Sequence, residues 1–205
     1  MLFFLKAFFS FLIIVNPLDV LANFVALTVD RPLAERHAIA RTATLTMTVI
    51  LLAAIWLGEL VLGLFDVGLP AFRVGGGIMI LMTAIAMIYS RRNVMPLADS
   101  KEESGSESVA FVPLAIPIMA GPGAISLGVI YADQAGDFGG RMILTVAVAT
   151  LAGLIWWVLR KGESIGDYLG ANGGKILMKI VGLLLAAIGI QIIADGLMGL
   201  FPGLI

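Results

Sequence analysis

The chain has 205 residues, 60% of them hydrophobic and 13% charged, with a mean hydropathy of +1.05; an ordinary soluble domain carries about 25% charged residues. Thirteen Lys and Arg with 14 Asp and Glu are too few to cover a water-facing surface, which excludes the soluble classes and points to a membrane protein. A net charge of −1 gives no pull toward nucleic acid, and the absence of Cys removes disulfides, thiolate metal sites and cysteine nucleophiles.

A hydrocarbon core of about 30 Å takes roughly 20 helical residues to cross. Six apolar segments are long enough: Leu2 to Val29, Ala38 to Phe65, Pro70 to Tyr89, Val109 to Ala132, Gly140 to Leu159 and Ile176 to Leu200. The first is too long and lacks the cleavage site of a signal peptide, so it reads as a span. The one long polar stretch, 91–108 (RRNVMPLADSKEESGSES), reads as a solvated linker between two triplets of spans, 1–90 and 109–205. The sequence therefore predicts an all-α membrane protein.

Orientation follows from the cations. Arg31, Arg36, Arg41, Arg91, Arg92, Lys101, Arg160, Lys161, Lys175 and Lys179 flank the odd-numbered loops, and only Lys6, Arg73 and Arg141 fall on the opposite side. Positive charge accumulates on the cytoplasmic side, which places the odd loops in the cytoplasm and both termini outside.

The triplets also resemble each other. A shift of 100 residues sets Pro17 on Pro117, Leu51 on Leu151 and Ile55-Trp56 on Ile155-Trp156; six further residues set Arg73-Val74-x-Gly76 against Lys179-Ile180-x-Gly182. Units with an odd number of spans enter the membrane from opposite faces, so the duplication predicts an inverted repeat, an arrangement found mostly in transporters.

Span one contains Asn16-Pro17-Leu18-Asp19 and Asn23; span four contains Pro113, Pro117 and Gly121-Pro122-Gly123-Ala124-Ile125-Ser126. Proline removes a backbone donor and clashes with the carbonyl four residues back, and glycine lets the chain turn. Both spans are expected to break near the midplane. Irregular backbone at membrane depth must be buried in protein or line a wet cavity, so the two breaks should face each other, the restarted half-helices presenting amides to an anionic group. A simple kink is an equally good reading for Pro17 alone. Asp19, the deepest carboxylate, is either a proton or cation site or a cap for the restarting helix. Glu59 and Asp195 read as charges reaching the interface, and Gln191 as an interhelical hydrogen-bonding or substrate-contacting group. No HExxH, Walker loop, GxSxG or intramembrane cluster of His and carboxylates is present, so neither enzyme chemistry nor a metal or other cofactor is expected.

Val15-Asn16-Pro17-Leu18, Phe24-Val-Ala-Leu-Thr28, the stretch from Pro113 to Ser126 (PLAIPIMAGPGAIS) and Gly182 to Gly196 together resemble the MarC family of bacterial and archaeal inner-membrane proteins. The resemblance covers essentially the whole chain. It implies a small multi-pass plasma-membrane protein grouped with transporters of small neutral amino acids such as glycine and alanine. Asp19 and Ala22 stand where the family usually has Gly and Pro, and the acidic residue common in its third span is replaced near Ala86.

The expected function is secondary transport of a small neutral amino acid or similar zwitterion by alternating access. Amides near Ala124 to Ser126 would hold the carboxylate, and Asn16, Asn23 and freed carbonyls the ammonium. Substrate-contacting candidates are Asn16, Pro17, Asp19, Asn23, Gly121, Pro122, Gly123, Ala124, Ile125, Ser126 and Gln191, with Asp19 also the candidate for a coupling proton or cation. The bilayer is the expected surrounding; the sequence leaves the oligomeric state open. The alternatives are a passive channel or ion-exchanging pore and a non-transporting membrane scaffold.

Overall fold

The computed structural model describes residues 1–89 and 119–203, with 162–177 at the level of the backbone. The described residues are helical throughout and contain no strand. The helices are α1 (Leu2–Val15), α2 (Pro17–Thr28), α3 (Leu33–Leu64), α4 (Leu69–Ile88), α5 (Pro122–Ala135), α6 (Phe138–Arg160) and α7 (Gly162–Leu200). Five stretches are long and apolar enough to cross a bilayer: Leu2–Thr28, Leu33–Leu64, Leu69–Ile88, Phe138–Arg160 and Met178–Leu200. The upstream part of the fourth expected span, with Pro113 and Pro117, and the whole 91–108 linker lie outside the described residues.

Local chemistry sets the ends. Pro32 precedes α3, and Arg31 pairs with Glu35 across its first turn. Asp66 adopts a positive φ of 53° where α3 gives way to α4, which has a proline in its first turn. Gly136, at φ 69°, closes α5, a conformation that glycine takes without a Cβ penalty. The Asp137 side chain then accepts a hydrogen bond from the Gly140 amide at 2.7 Å and caps α6.

Two boundaries differ from the sequence expectation. Helix α3 starts at Leu33 rather than Ala38, and α7 starts at Gly162 rather than Ile176. Polarity in the sequence marks where water begins, whereas a helix continues past that point as long as its backbone bonds close. The 32 residues of α3 span about 48 Å, well beyond the hydrocarbon thickness.

Packing mixes the two halves of the chain. Helix α3 lies against α5 and α6, α1 against α5 and α6, and α4 runs antiparallel along α7. The α4 and α7 backbones approach closely because Gly182, Gly189 and Gly196, two turns apart, share the face turned to α4. A methyl group on Gly189 would stand 3.1 Å from the Gly77 carbonyl oxygen, and one on Gly196 2.8 Å from that of Pro70. Phe11, Phe24, Ile39, Met47, Leu51, Ile55, Ile80, Leu144, Leu151 and Ile155 form a continuous buried core. Leu45, Val49, Leu57, Leu60, Val146, Ile190 and other large apolar side chains face outward, as a surface solvated by lipid requires.

Candidate functional site

The first apolar stretch is interrupted at one residue. Asn16 closes α1, its amide bonded to the Leu12 carbonyl at 3.0 Å, and takes φ 48° and ψ 84°; its own carbonyl then accepts the Asp19 and Val20 amides, both at 3.1 Å, to begin α2. Two constraints meet here. The residue before proline is pushed out of the right-handed helical region, and Asn tolerates the left-handed region better than most side chains. Pro17 occupies the first turn of α2, where an N–H would lack an intrahelical partner anyway.

Helix α5 starts inside the protein in a comparable way. Gly121 is its N-cap and Pro122 is in its first turn; the Ala124 and Ile125 amides bond the Gly121 carbonyl at 2.9 and 3.1 Å. Like every other described helix except α6, which Asp137 caps, α2 and α5 have no side-chain cap hydrogen bond from their N-cap residues. Because proline has no N–H and the following amides bond the cap carbonyl, each start leaves one further first-turn amide, Leu18 in α2 and Gly123 in α5, along with the partial positive charge of a helix N-terminus; the Ala124 and Ile125 amides expected to hold a carboxylate are already engaged.

The start of α5 lies against the end of α1, through Ile14, two residues before Asn16. A methyl group on Gly123 would come 3.0 Å from Ile14 Cδ1 and 3.1 Å from Ile80 Cγ1, so the first turn of α5 presses against the last turn of α1 and the middle of α4. One turn further along α5, Ser126 packs on Gly76 of α4. Asn16 is 5% exposed and Ser126 6%, with Gly123 and Ala124 also buried. The side-chain nitrogen of Asn16, Nδ2, is buried with no hydrogen-bond partner in the protein. A buried amide donor without an acceptor costs about 1–3 kcal/mol; here it sits at the junction of α1 and α2.

The other expected residues are placed as follows. Asp19 is half-buried on the first turn of α2, and Asn23 Nδ2 donates to the Asp19 main-chain carbonyl at 2.8 Å, tying that amide to its own helix. Pro17 and Ile125 are partly exposed, Pro122 more so. Ile125 also lines an apolar cavity of about 330 Å³ between α3, α4 and α5, with Ala54, Gly58, Phe72 and Val129. Gln191 is exposed on α7 and donates to Asp195 Oδ1 at 2.8 Å, an i,i+4 bond within one helix rather than the interhelical bond considered from the sequence. Glu59, read as a charge reaching the interface, accepts from Arg141 Nη2 of α6 at 2.6 Å.

Three contacts were not singled out from the sequence. Ser10 and Tyr131 share a hydrogen bond of 2.7 Å between α1 and α5, with Lys6 Nζ 5.8 Å from the centre of the Tyr131 ring. Arg73 Nη2 of α4 pairs with Asp133 of α5 at 2.8 Å. The Gly76–Ser126 contact is the third. All join residues far apart in sequence, and only a pairing of Arg73 or Lys6 with a partner across the halves could have been sought from the placement of charge. Among the described residues no three His, Asp or Glu side chains converge to form a metal site.

Apolar helices long enough to cross a bilayer, packed through glycine faces and clad in outward-facing aliphatic side chains, define a multi-pass integral membrane protein. The chain belongs to the MarC family: the profile described as MarC family integral membrane protein matches residues 1–201. It is 33% identical to the UPF0056 membrane protein YhcE of Escherichia coli K12 over 202 residues, covering 98% of this chain and 94% of that one. A UPF0056 membrane protein of the archaeon Methanocaldococcus jannaschii is 32% identical, covering 96% of this chain and 97% of its own. The UPF0056 inner membrane protein MarC of Citrobacter koseri is 30% identical, covering 89% of this chain and 88% of its own. No solved structure matches.

Proposed function

We propose that this protein is a secondary transporter of small neutral amino acids or similar small zwitterions, working by alternating access between two inverted three-span repeats whose first spans are broken, and that it is not an enzyme. The observation that carries the reading is the approach of the α5 start to Ile14, two residues before the interruption at Asn16, whose buried side-chain nitrogen has no partner in the protein. A helix start supplies donors and partial positive charge for a carboxylate. Glycine at position 123 keeps the approach short, and the Asn16 side-chain oxygen and the carbonyls freed at each interruption suit an ammonium group.

The repeat reading draws support from packing. Leu51 and Leu151, and Ile55 and Ile155, which the 100-residue shift superposes, are all fully buried, and α3 lies against α6 as α4 lies against α7. The second and third spans thus each pack on their proposed counterparts, which is compatible with a two-fold axis in the membrane plane. Asp19, half-buried one turn beyond Asn16, is the proposed site of a coupling proton or cation. Similarity to the inner membrane protein of Citrobacter koseri supports an inner-membrane location. The ten-to-three cation split supports both termini outside.

Ligand binding stabilises the folded protein by mass action, by about 2.7 kcal/mol at a ligand concentration 100 times Kd. Glycine and alanine should therefore raise the unfolding temperature of the detergent-purified protein. Asn16→Gly, which keeps the backbone conformation and removes the amide, should abolish that rise. Equal shifts for wild type and Asn16→Gly would remove Asn16 from the site, and no shift with any amino acid would count against the substrate class.

A further inference from the structure

Among the described residues, the Glu59–Arg141 and Arg73–Asp133 ion pairs tie the first half of the chain to the second, and both sit at the same end of the bundle. Glu59, near the end of α3, pairs with Arg141, near the start of α6, at 2.6 Å; Arg73, near the start of α4, pairs with Asp133, near the end of α5, at 2.8 Å. The four residues lie within about two turns of the tight connections 65–68 and 136–137. The distribution of Lys and Arg assigns this end to the outside.

Below the pairs lies a closed seam. Ser126, Val129 and Asp133 are spaced three and four residues apart and so share one face of α5. Each meets the first half. Ser126 lies against Gly76, Val129 presses on Gly58 so tightly that a methyl group there has no room, and Asp133 holds Arg73. From Ser126 to Asp133 the face rises about 10 Å along the helix. Between the buried Ser126 level and this end of the protein, the α5 face thus meets the first half through apolar contact and then through charge. The pairs are well suited to parting. Their side chains are 21% to 42% exposed, a setting in which ion pairs are weak and readily exchanged for water, and Arg73 Nε, buried without a partner, shows that its guanidinium is only partly satisfied by Asp133.

We propose that Glu59–Arg141 and Arg73–Asp133 form a two-latch gate that holds this end of the substrate path shut, and that the site opens toward this end only when both part. The gate rests on the transport reading for its purpose, but its closure can be measured without any flux.

The chain has no Cys, so one introduced thiol reports on its own position. Ser126→Cys is made in the otherwise unchanged full-length chain and exposed to a membrane-impermeant maleimide in sealed vesicles of each orientation. A Gly68→Cys variant, in the exposed connection between α3 and α4, marks which face is being reached. With both pairs intact, Ser126→Cys should react slowly from the Gly68 side. Adding Glu59→Gln and Arg73→Gln should speed the reaction from that side about tenfold. Exchanging the charges, Glu59→Arg with Arg141→Glu and Arg73→Asp with Asp133→Arg, should restore protection, since the attraction is kept and only its direction reversed. Unchanged reactivity in the neutralised variant would overturn the gate. So would faster reaction from the opposite face alone, or equal reactivity in the neutralised and exchanged variants, which would mean that the substitutions merely loosen packing. Faster labelling in a protein that moves no amino acid would keep the gate and reject the transport reading; amino acid flux with unchanged labelling would do the reverse.

Discussion

Gly76 of α4 and Ser126 of α5 meet so closely that a methyl group on Gly76 would come 2.6 Å from the Ser126 Cβ and 2.8 Å from its Oγ. The contact joins the two halves of the chain next to the α1–α5 approach, so any widening there displaces the proposed site.

Gly76→Ala is therefore expected to destabilise the protein by about 1–3 kcal/mol, the usual cost of overpacking. Its neighbour Gly75 is exposed and has nothing within 4 Å of an added methyl. Gly75→Ala should be neutral or stabilising by up to about 1 kcal/mol through helix propensity. Paired unfolding curves in detergent check the contrast, and equal effects at the two positions would mean that α4 and α5 do not meet at Gly76.

Asn16 has a backbone role as well as a side-chain role. At φ 48° a residue with an ordinary Cβ is strained by roughly 1–2 kcal/mol, less for Asn and not at all for Gly. Asn16→Leu should lower stability and abolish flux together, whereas Asn16→Gly should fold normally and lose flux alone. A thermal melt and a transport assay on the two variants separate the roles.

Asp19→Asn preserves size and can still hydrogen-bond. If Asp19 carries the coupling ion, the variant should continue to exchange amino acid across the membrane but no longer accumulate it against a gradient or respond to an imposed proton gradient. If Asp19 serves only to complement the start of α2, accumulation should be unchanged and stability should fall by about 0.3–1 kcal/mol.

Asp137 caps α6 through the Gly140 amide at 2.7 Å, just past the end of α5 opposite to Gly123. Asp137→Ala should cost about 1 kcal/mol of stability, within the range for lost N-caps, and leave flux intact in protein that remains folded. A loss of flux beyond the loss of folded protein would tie the α5–α6 connection to transport.

What the sequence conveyed and what it did not divide along physical lines. The helix starts at Pro17 and Pro122 were legible because the local chemistry of Asn16-Pro17 and Gly121-Pro122 restricts the backbone whatever surrounds it. Five of the six expected spans were legible because solvation by lipid demands length and apolarity. The start of α7 at Gly162 was not, since a helix that has left the membrane becomes polar without ending. Nor was Gln191, whose depth says nothing about which way the residue faces; it turns outward and bonds Asp195. Gly76–Ser126, Arg73–Asp133 and Ser10–Tyr131 are separated by 50 or more residues and follow from the packing of whole helices. Spacing along a single element does not reveal them.

The most direct measurement is uptake of labelled glycine and alanine by the purified protein in liposomes, with and without an imposed proton gradient. Transport by alternating access predicts saturable uptake, competition between the two amino acids, and loss of both in Asn16→Gly while that variant remains folded. No uptake of any small neutral amino acid, or uptake that rises without saturation and is indifferent to Asn16, would contradict it.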